Sequence, residues 1–111
     1  MFNYALLKEL GQTRKPVLLK RGFSALVDEW ISAAEYITQA GNDQVVLCER
    51  GIRTFESSTR YPFDINSVLV AKSRCHFPVV VDPSHAVGVR EYVPKLALAA
   101  AAVGADGIIV E

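Results

Sequence analysis

Four short apolar runs, each followed by a charged residue, give the chain its pattern. They cover residues 16–20, 44–50, 78–82 and 107–111. The runs are rich in β-branched residues and too short for a stable helix, so they predict strands that are buried on both faces. The third run leads into Pro83, Ser84 and His85, and residues 82–88 are predicted to form a turn and a loop.

Apolar residues at helical spacing predict helices between these strands. The first helix covers residues 2–10, with Gly11 as its carboxyl-terminal cap. Ser24 is the predicted amino-terminal cap of the second helix, and Asp64 or Asn66 that of the third. A fourth helix is expected between the third and fourth strands.

Strands and helices alternate with a period of roughly thirty residues, the size of a βαβ unit. Such units form parallel sheets with right-handed crossovers. No glycine-rich nucleotide fingerprint follows the first strand, which favours part of a (β/α)8 barrel over a dinucleotide-binding fold. Only part is expected, because such barrels take about 250 residues and this chain has 111. Four strands cannot close a barrel, so both sheet edges stay open unless a partner covers them.

Composition narrows the class of protein. Half of the residues are apolar, and twelve acidic residues balance twelve basic ones, which argues against nucleic acid or a membrane surface as a general partner. Cys48, in a strand, is predicted to be core and, with Cys75 in a loop, makes no disulfide framework. The sequence shows neither a signal peptide nor an apolar run of membrane-spanning length. A globular, cytoplasmic protein is therefore expected.

Candidate chemistry lies at the ends of the predicted strands, where ligands bind in parallel sheets. Lys20 is a point cation suited to a phosphate or carboxylate, or else a solvated lysine at a strand end. The guanidinium of Arg50 matches a phosphate, although it could instead pair with Glu49 or Glu56. Asp82 is also placed at this edge.

His85 and Glu111 could supply nitrogen and oxygen ligands to a divalent metal. The alternative for His85 is an ordinary loop histidine, and two ligands do not define a metal site. The polar connection over residues 51–63 is longer than a βα loop requires, which is typical of functional loops. It carries residues that fit either an anion clamp or a solvated loop, namely Arg53, Thr54 and Arg60.

Four segments together resemble one enzyme family. Residues 16–22 (PVLLKRG), 47–56 (LCERGIRTFE), 81–85 (VDPSH) and 104–111 (GADGIIVE) resemble the type I 3-deoxy-D-arabino-heptulosonate 7-phosphate (DAHP) synthases. The resemblance is to the subgroup that is also similar to 3-deoxy-D-manno-octulosonate 8-phosphate (KDO8P) synthase. It covers essentially the whole chain.

The resemblance implies a (β/α)8-barrel transferase that condenses phosphoenolpyruvate with erythrose 4-phosphate, giving DAHP and phosphate in the first step of the shikimate pathway to aromatic amino acids. By the same resemblance, Lys20 matches the phosphoenolpyruvate-binding lysine and Arg50 a phosphate-binding arginine. His85 and Glu111 match two ligands of a divalent metal of the Mn, Fe, Zn or Co class, and Lys20 and His85 would be catalytic.

The resemblance also implies that residues 1–111 are the fifth to eighth strands only. A metal-ligand cysteine, a Lys-Pro-Arg substrate loop, a fourth-strand arginine and a final metal-ligand aspartate are not matched. We therefore expect a single partial barrel domain, a fragment of a longer enzyme that is inactive in isolation.

Two other functions remain open at this point. A KDO8P synthase would use arabinose 5-phosphate, but residues 52–56 (IRTFE) are more similar to the DAHP side of the family. A non-catalytic half-barrel would bind anions and assemble with itself or with a missing half. Its open edges and apolar inner face favour a homo-oligomer.

Overall fold

The computed structural model describes residues 3–111 and contains one parallel four-stranded sheet. Its strands lie in chain order, each hydrogen-bonded to the next. They are β1 (Val17–Lys20), β2 (Val45–Glu49), β3 (Val79–Val81) and β4 (Gly107–Ile108). The predicted parallel βα arrangement is therefore confirmed.

Helices precede, connect and cover the strands. They are α1 (Tyr4–Gln12), α2 (Val27–Gln39), α3 (Asn66–Arg74), α4 (Pro83–Val87) and α5 (Val93–Ala102), with a 3₁₀ turn over Arg90–Tyr92. Within residues 3–111, no helix combines the length and apolar character needed to cross a membrane.

The core lies between one face of the sheet and the helices. Its fully buried members come from α2, α3, α5 and the middle strands: Trp30, Ala34, Ile37, Leu47, Val68, Ala71, Val79, Val81 and Ala100. Successive strand residues point to opposite faces, and apart from Cys48 the side chains that alternate with these along the strands are less buried. Leu18 is 45% exposed, and Val46 and Val80 are half-buried. This second face is the one that would line a barrel.

The predicted role of Gly11 is wrong. Gly11 lies inside α1, which continues to Gln12 and is capped at Thr13. A Cβ atom at Gly11 would lie 2.7 Å from the carbonyl oxygen of Ile37 and would clash with Ala40. The glycine therefore permits close packing of α1 against α2. Phe2, the predicted start of this helix, lies outside the described residues.

The predicted cap at Ser24 is also wrong. Helix α2 begins after Leu26, whose backbone N–H donates to Oε1 of Glu29 at 2.8 Å. Glu29 thus provides one half of a capping box, while Leu26 has no side-chain oxygen to provide the other half, and Ser24 lies too far before the helix to do so.

Neither predicted cap of α3 acts as one. The residue before α3 is Ile65, which provides no side-chain cap. Asn66 is already the first residue of the helix. The carboxylate of Asp64 instead accepts a hydrogen bond from the guanidinium of Arg21 at 2.8 Å.

After β3 the chain forms a helix where a turn and a loop were predicted. Asp82 caps α4 through its side chain, and Pro83 occupies the first turn, where its missing N–H has no cost. Gly88 ends the helix with φ of 68°, a left-handed conformation that favours glycine. Strand β4 is shorter than predicted and ends at Ile108, although Ile109 N–H still donates to the Val81 carbonyl at 2.8 Å.

Candidate functional site at the strand ends

The parallel sheet brings the predicted site residues together at the carboxyl ends of its strands. Lys20 ends β1, Arg50 follows β2, His85 lies in α4 after β3, and Glu111 lies beyond β4. Three of them, Lys20, His85 and Glu111, are joined by a continuous series of polar contacts through Asp82. Arg50 lies outside that series.

Asp82 is the centre of this cluster. Its side chain is fully buried, and Oδ2 lies 2.9 Å from Lys20 Nζ and 2.6 Å from His85 Nδ1. Oδ1 accepts the backbone N–H of His85 at 3.0 Å. Burial by itself raises the pKa of Asp82, but the hydrogen bonds from His85 and Lys20 together lower it below its ordinary value. Asp82 is therefore a carboxylate, not a neutral acid, at neutral pH.

The ring of His85 lies between two carboxylates. Nε2 is 2.9 Å from Oε2 of Glu111, whose backbone N–H donates to Ser84 Oγ at 3.1 Å. Because ionised Asp82 can only accept, Nδ1 must carry the proton in that contact. The same rule holds for an ionised Glu111, so the contact at Nε2 is a hydrogen bond only when Nε2 also carries a proton; in the neutral ring Nε2 presents its lone pair instead.

This donor set fits part of a divalent-metal site. An imidazole nitrogen and a carboxylate oxygen converge, and a second carboxylate holds the other ring nitrogen, as is usual for metal-binding histidines. Across residues 3–111 no group of three or more potential His, Cys, Asp or Glu ligands occurs. Within these residues, His85 and Glu111 thus offer two converging donors, fewer than a metal site requires.

Arg50 is oriented by an aromatic ring. Its guanidinium carbon lies 4.5 Å from the ring centroid of Phe23, which stacks on Tyr61. Nε of Arg50 is buried and lacks a hydrogen-bond partner among the described residues. Glu49 pairs with Arg21 instead, and the alternative pairing of Arg50 with Glu49 or Glu56 is not formed.

Glu49, the last residue of β2, has a structural role that the sequence interpretation missed. Its fully buried carboxylate accepts from Arg21 at 3.1 Å and Ser67 Oγ at 3.2 Å through Oε1. Oε2 accepts the backbone N–H groups of Gly51 at 2.8 Å and Asp64 at 3.3 Å. The alternation of β2 could have revealed this, because Glu49 shares a face with the core residue two positions earlier.

Cys48 is fully buried, as predicted for a core residue. Burial, followed by the nearby charge of Asp82, raises the pKa of its thiol to about 11. The thiol is therefore protonated at neutral pH and unsuited to act as a nucleophile or a metal ligand.

The candidate loop residues are not brought into the cluster. Arg53 and Thr54 are exposed, and Thr54 Oγ1 accepts the backbone N–H of Glu56 at 3.1 Å. Arg60 lies over the ring of Tyr61, 5.7 Å from its centroid. This favours a solvated loop over an anion clamp for the arrangement seen here.

A parallel βα sheet with charged and metal-type side chains at the carboxyl ends of its strands defines part of a βα-barrel protein. The chain belongs to the DAHP synthetase I family, whose model matches residues 1–111.

Comparison with known proteins agrees with this family. The chain is 52% identical over 109 residues to the phospho-2-dehydro-3-deoxyheptonate aldolase of Thermotoga maritima, covering 98% of the chain and 32% of the relative. It is 33% identical over 117 residues to the 2-dehydro-3-deoxyphosphooctonate aldolase of Geobacter sulfurreducens, covering 96% of the chain and 42% of that protein. The chain thus spans about a third to two fifths of the curated relatives it matches.

The fold matches solved structures of the Thermotoga maritima enzyme. A truncated form of its DAHP synthase superposes with a TM-score of 0.96 at 52% identity, covering 99% of this chain and 42% of that one. The crystal structure of its phospho-2-dehydro-3-deoxyheptonate aldolase gives the same TM-score, with 32% of that chain covered. The predicted half of a (β/α)8 barrel is therefore confirmed.

Proposed function

We propose that this chain is a partial barrel domain that supplies half of a DAHP synthase active site. The reaction would be the condensation of phosphoenolpyruvate with erythrose 4-phosphate, with addition of one water molecule, to give DAHP and phosphate, in the shikimate pathway of the cytoplasm. The observation that carries the proposal is the series of contacts from Lys20 through Asp82 and His85 to Glu111. It places a cation and two metal-type donors within one connected cluster.

Lys20 and Arg50 would bind the anionic groups of phosphoenolpyruvate. Arg50 offers a guanidinium fork with a buried, unpartnered Nε, and Phe23 restricts where that fork can point. Lys20 offers a compact charge whose position is set by Asp82 at 2.9 Å. Together they would fix the substrate and stabilise the charge that develops on the leaving phosphate.

His85 Nε2 and the Glu111 carboxylate would hold the divalent metal. A metal bound there would polarise the aldehyde of the sugar phosphate, so that its carbon accepts the enol carbon of phosphoenolpyruvate more readily. The remaining ligands would come from outside residues 3–111, since these residues provide two donors. The isolated chain is accordingly proposed to be inactive.

Erythrose 4-phosphate is preferred over arabinose 5-phosphate as the second substrate. The identity of 52% to a heptonate enzyme against 33% to an octonate enzyme supports this choice. The test is a chimera in which this chain replaces the matching 109 residues of the Thermotoga maritima enzyme. With added Mn²⁺, we expect phosphate release from phosphoenolpyruvate with erythrose 4-phosphate, and little with arabinose 5-phosphate.

The chimera carries its own controls. The same protein with His85→Ala should fold but release no phosphate, because it lacks a metal donor. Preference for arabinose 5-phosphate would refute the choice of substrate. A folded chimera that is inactive with both sugars, beside an active parent enzyme, would refute the proposed reaction.

A second candidate function is a non-catalytic, self-assembling half-barrel, and the two open sheet edges favour it. Beside the unpaired edge of β1 lies a cavity of about 220 Å³, which is lined in part by Leu6 and Leu10 of α1 and by Leu19 of β1. Beyond the other edge, Ile108 and Val110 are 40% and 60% exposed. Strand β4 of a second copy could pair with β1, and the exposed apolar residues beyond that strand would then lie in the cavity beside α1.

For the isolated chain we expect an apparent mass above 12.2 kDa that rises with concentration in analytical ultracentrifugation. Val110→Lys should give a monomer, because a charge at the joining edge opposes burial. Leu69→Lys, at an equally exposed apolar residue on α3, should behave as the unaltered chain does. A compact monomer at every concentration would contradict self-association.

A further inference from the structure

We propose that Asp82 is a positioning residue that sets the tautomer of the His85 ring and links it to Lys20. The inference rests on the proposed function, in which His85 binds metal and Lys20 binds an anion. It adds a role for a carboxylate that contacts neither ligand.

On the His85 side, the two carboxylate oxygens of Asp82 accept hydrogen bonds from two different donors of His85. Oδ1 accepts the backbone N–H of His85 at 3.0 Å, and Oδ2 accepts ring Nδ1–H at 2.6 Å. The first contact fixes the direction of the carboxylate, since it also caps α4. The second keeps the proton on Nδ1, so that Nε2 faces Glu111 with its lone pair in the neutral ring.

On the Lys20 side, the same oxygen, Oδ2 of Asp82, is shared between His85 and Lys20. Lys20 Nζ also donates to Oδ2, at 2.9 Å, and Asp82 is fully buried whereas the lysine side chain is 36% exposed. An anion can therefore reach Lys20 but not Asp82. When Lys20 binds an anion instead of Asp82, Oδ2 accepts a hydrogen bond from His85 alone. The hydrogen bond from Nδ1–H then becomes stronger, and Nε2 becomes a better electron-pair donor to a metal ion. Anion and metal binding should thus favour each other.

The informative variant is Asp82→Asn. Asparagine remains a good helix cap, because its Oδ1 still accepts His85 N–H, so α4 should form. In that orientation its NH₂ group replaces Oδ2 and faces Nδ1 as a donor. The ring must then accept at Nδ1 and carry its proton on Nε2, where it blocks metal binding.

The experiment reads the ring directly by ¹⁵N NMR on the isolated 111-residue chain across a pH series. His76, the other histidine, is exposed and serves as an internal reference. We expect the neutral His85 ring to be protonated at Nδ1 in the unaltered chain and at Nε2 in Asp82→Asn. The matched control is Asp106→Asn, which removes another lysine-paired carboxylate, at the opposite end of β3, and should leave His85 unchanged.

A Mn²⁺ titration of the His85 signals in the chimera with the Thermotoga maritima enzyme, which supplies the remaining part of the barrel, tests the consequence for metal binding. Asp82→Asn should weaken Mn²⁺ binding by about 10- to 100-fold, as loss of such an outer carboxylate does elsewhere. Lys20→Met should strengthen Mn²⁺ binding several-fold, and this gain should disappear in the double variant with Asp82→Asn.

Two results separate this inference from the proposed function. An Nδ1-protonated ring in Asp82→Asn, with Mn²⁺ affinity unchanged, would overturn the role of Asp82 and leave the proposed reaction standing. A ring that changes tautomer as expected, in a chimera whose His85 signals never respond to Mn²⁺, would support the positioning role and contradict the metal assignment.

Discussion

Replacing Glu49 with alanine is expected to destabilise the chain by about 3–5 kcal/mol, the usual cost of removing one partner from a buried ion pair. The fully buried carboxylate holds Arg21, Ser67 and the backbone N–H groups of Gly51 and Asp64. Its loss leaves buried donors without partners. Since the folded state of a domain is stable by only about 5–15 kcal/mol, much of that stability should be lost.

The measurement is equilibrium unfolding in urea, followed by far-ultraviolet circular dichroism. Glu35→Ala, on the exposed side of α2, is the matched control and should leave the midpoint unchanged. A Glu49→Ala midpoint that equals that of the unaltered chain would show that water or a rearranged Arg21 replaces the carboxylate without cost.

Replacing Arg50 with alanine in the active chimera is expected to lower kcat/KM for phosphoenolpyruvate at least about a hundredfold. The reason is the loss of two charge-assisted hydrogen bonds to phosphate, each worth about 1.5–3 kcal/mol. Arg50→Lys should lose less, because lysine keeps the charge but lacks the planar fork and the stacking on Phe23.

Steady-state kinetics with phosphoenolpyruvate varied will measure this effect, and urea unfolding will separate it from any change in stability. Arg74→Ala is the control: this arginine is exposed and pairs with Asp28 at 2.6 Å, away from the strand ends. If Arg50→Ala keeps kcat/KM within threefold of the unaltered chimera, the anion lies elsewhere.

The strands, their parallel direction and the position of the site could be predicted from sequence. Short β-branched runs have few alternatives to a buried strand, and parallel pairing necessarily gathers their final residues at one edge. That is why Lys20, His85 and Glu111 were expected together although they are distant in sequence. The metal and anion roles still depend on the resemblance of the motifs to a family.

The sequence could not settle which of two neighbouring charges faces a ligand. Glu49 and Arg50 are adjacent, yet one is a buried structural carboxylate and the other has an unpartnered donor. Their difference depends on Arg21 and Asp64, which reach Glu49 only through the tertiary fold.

The predictions of the helix ends were wrong for a similar reason. Gly11 was assigned to a cap because local rules favour glycine there, whereas its actual constraint is the backbone of α2. Ser24 was assigned to a cap by residue type alone, whereas the helix begins after Leu26, whose backbone N–H donates to Glu29 inside the helix. Local sequence rules do not include competing partners that the fold supplies.

The sequential order of the strands has a consequence for how the site comes into being during synthesis. Each strand pairs with the one made before it, so β1, α2 and β2 can associate while the rest of the chain is still being translated. Lys20 and Asp82 are 62 residues apart, and His85 can meet Glu111 only after β4 has been made. The pairing of β1 with β2 can therefore precede the charged cluster, which needs residues from both β3 and the segment after β4.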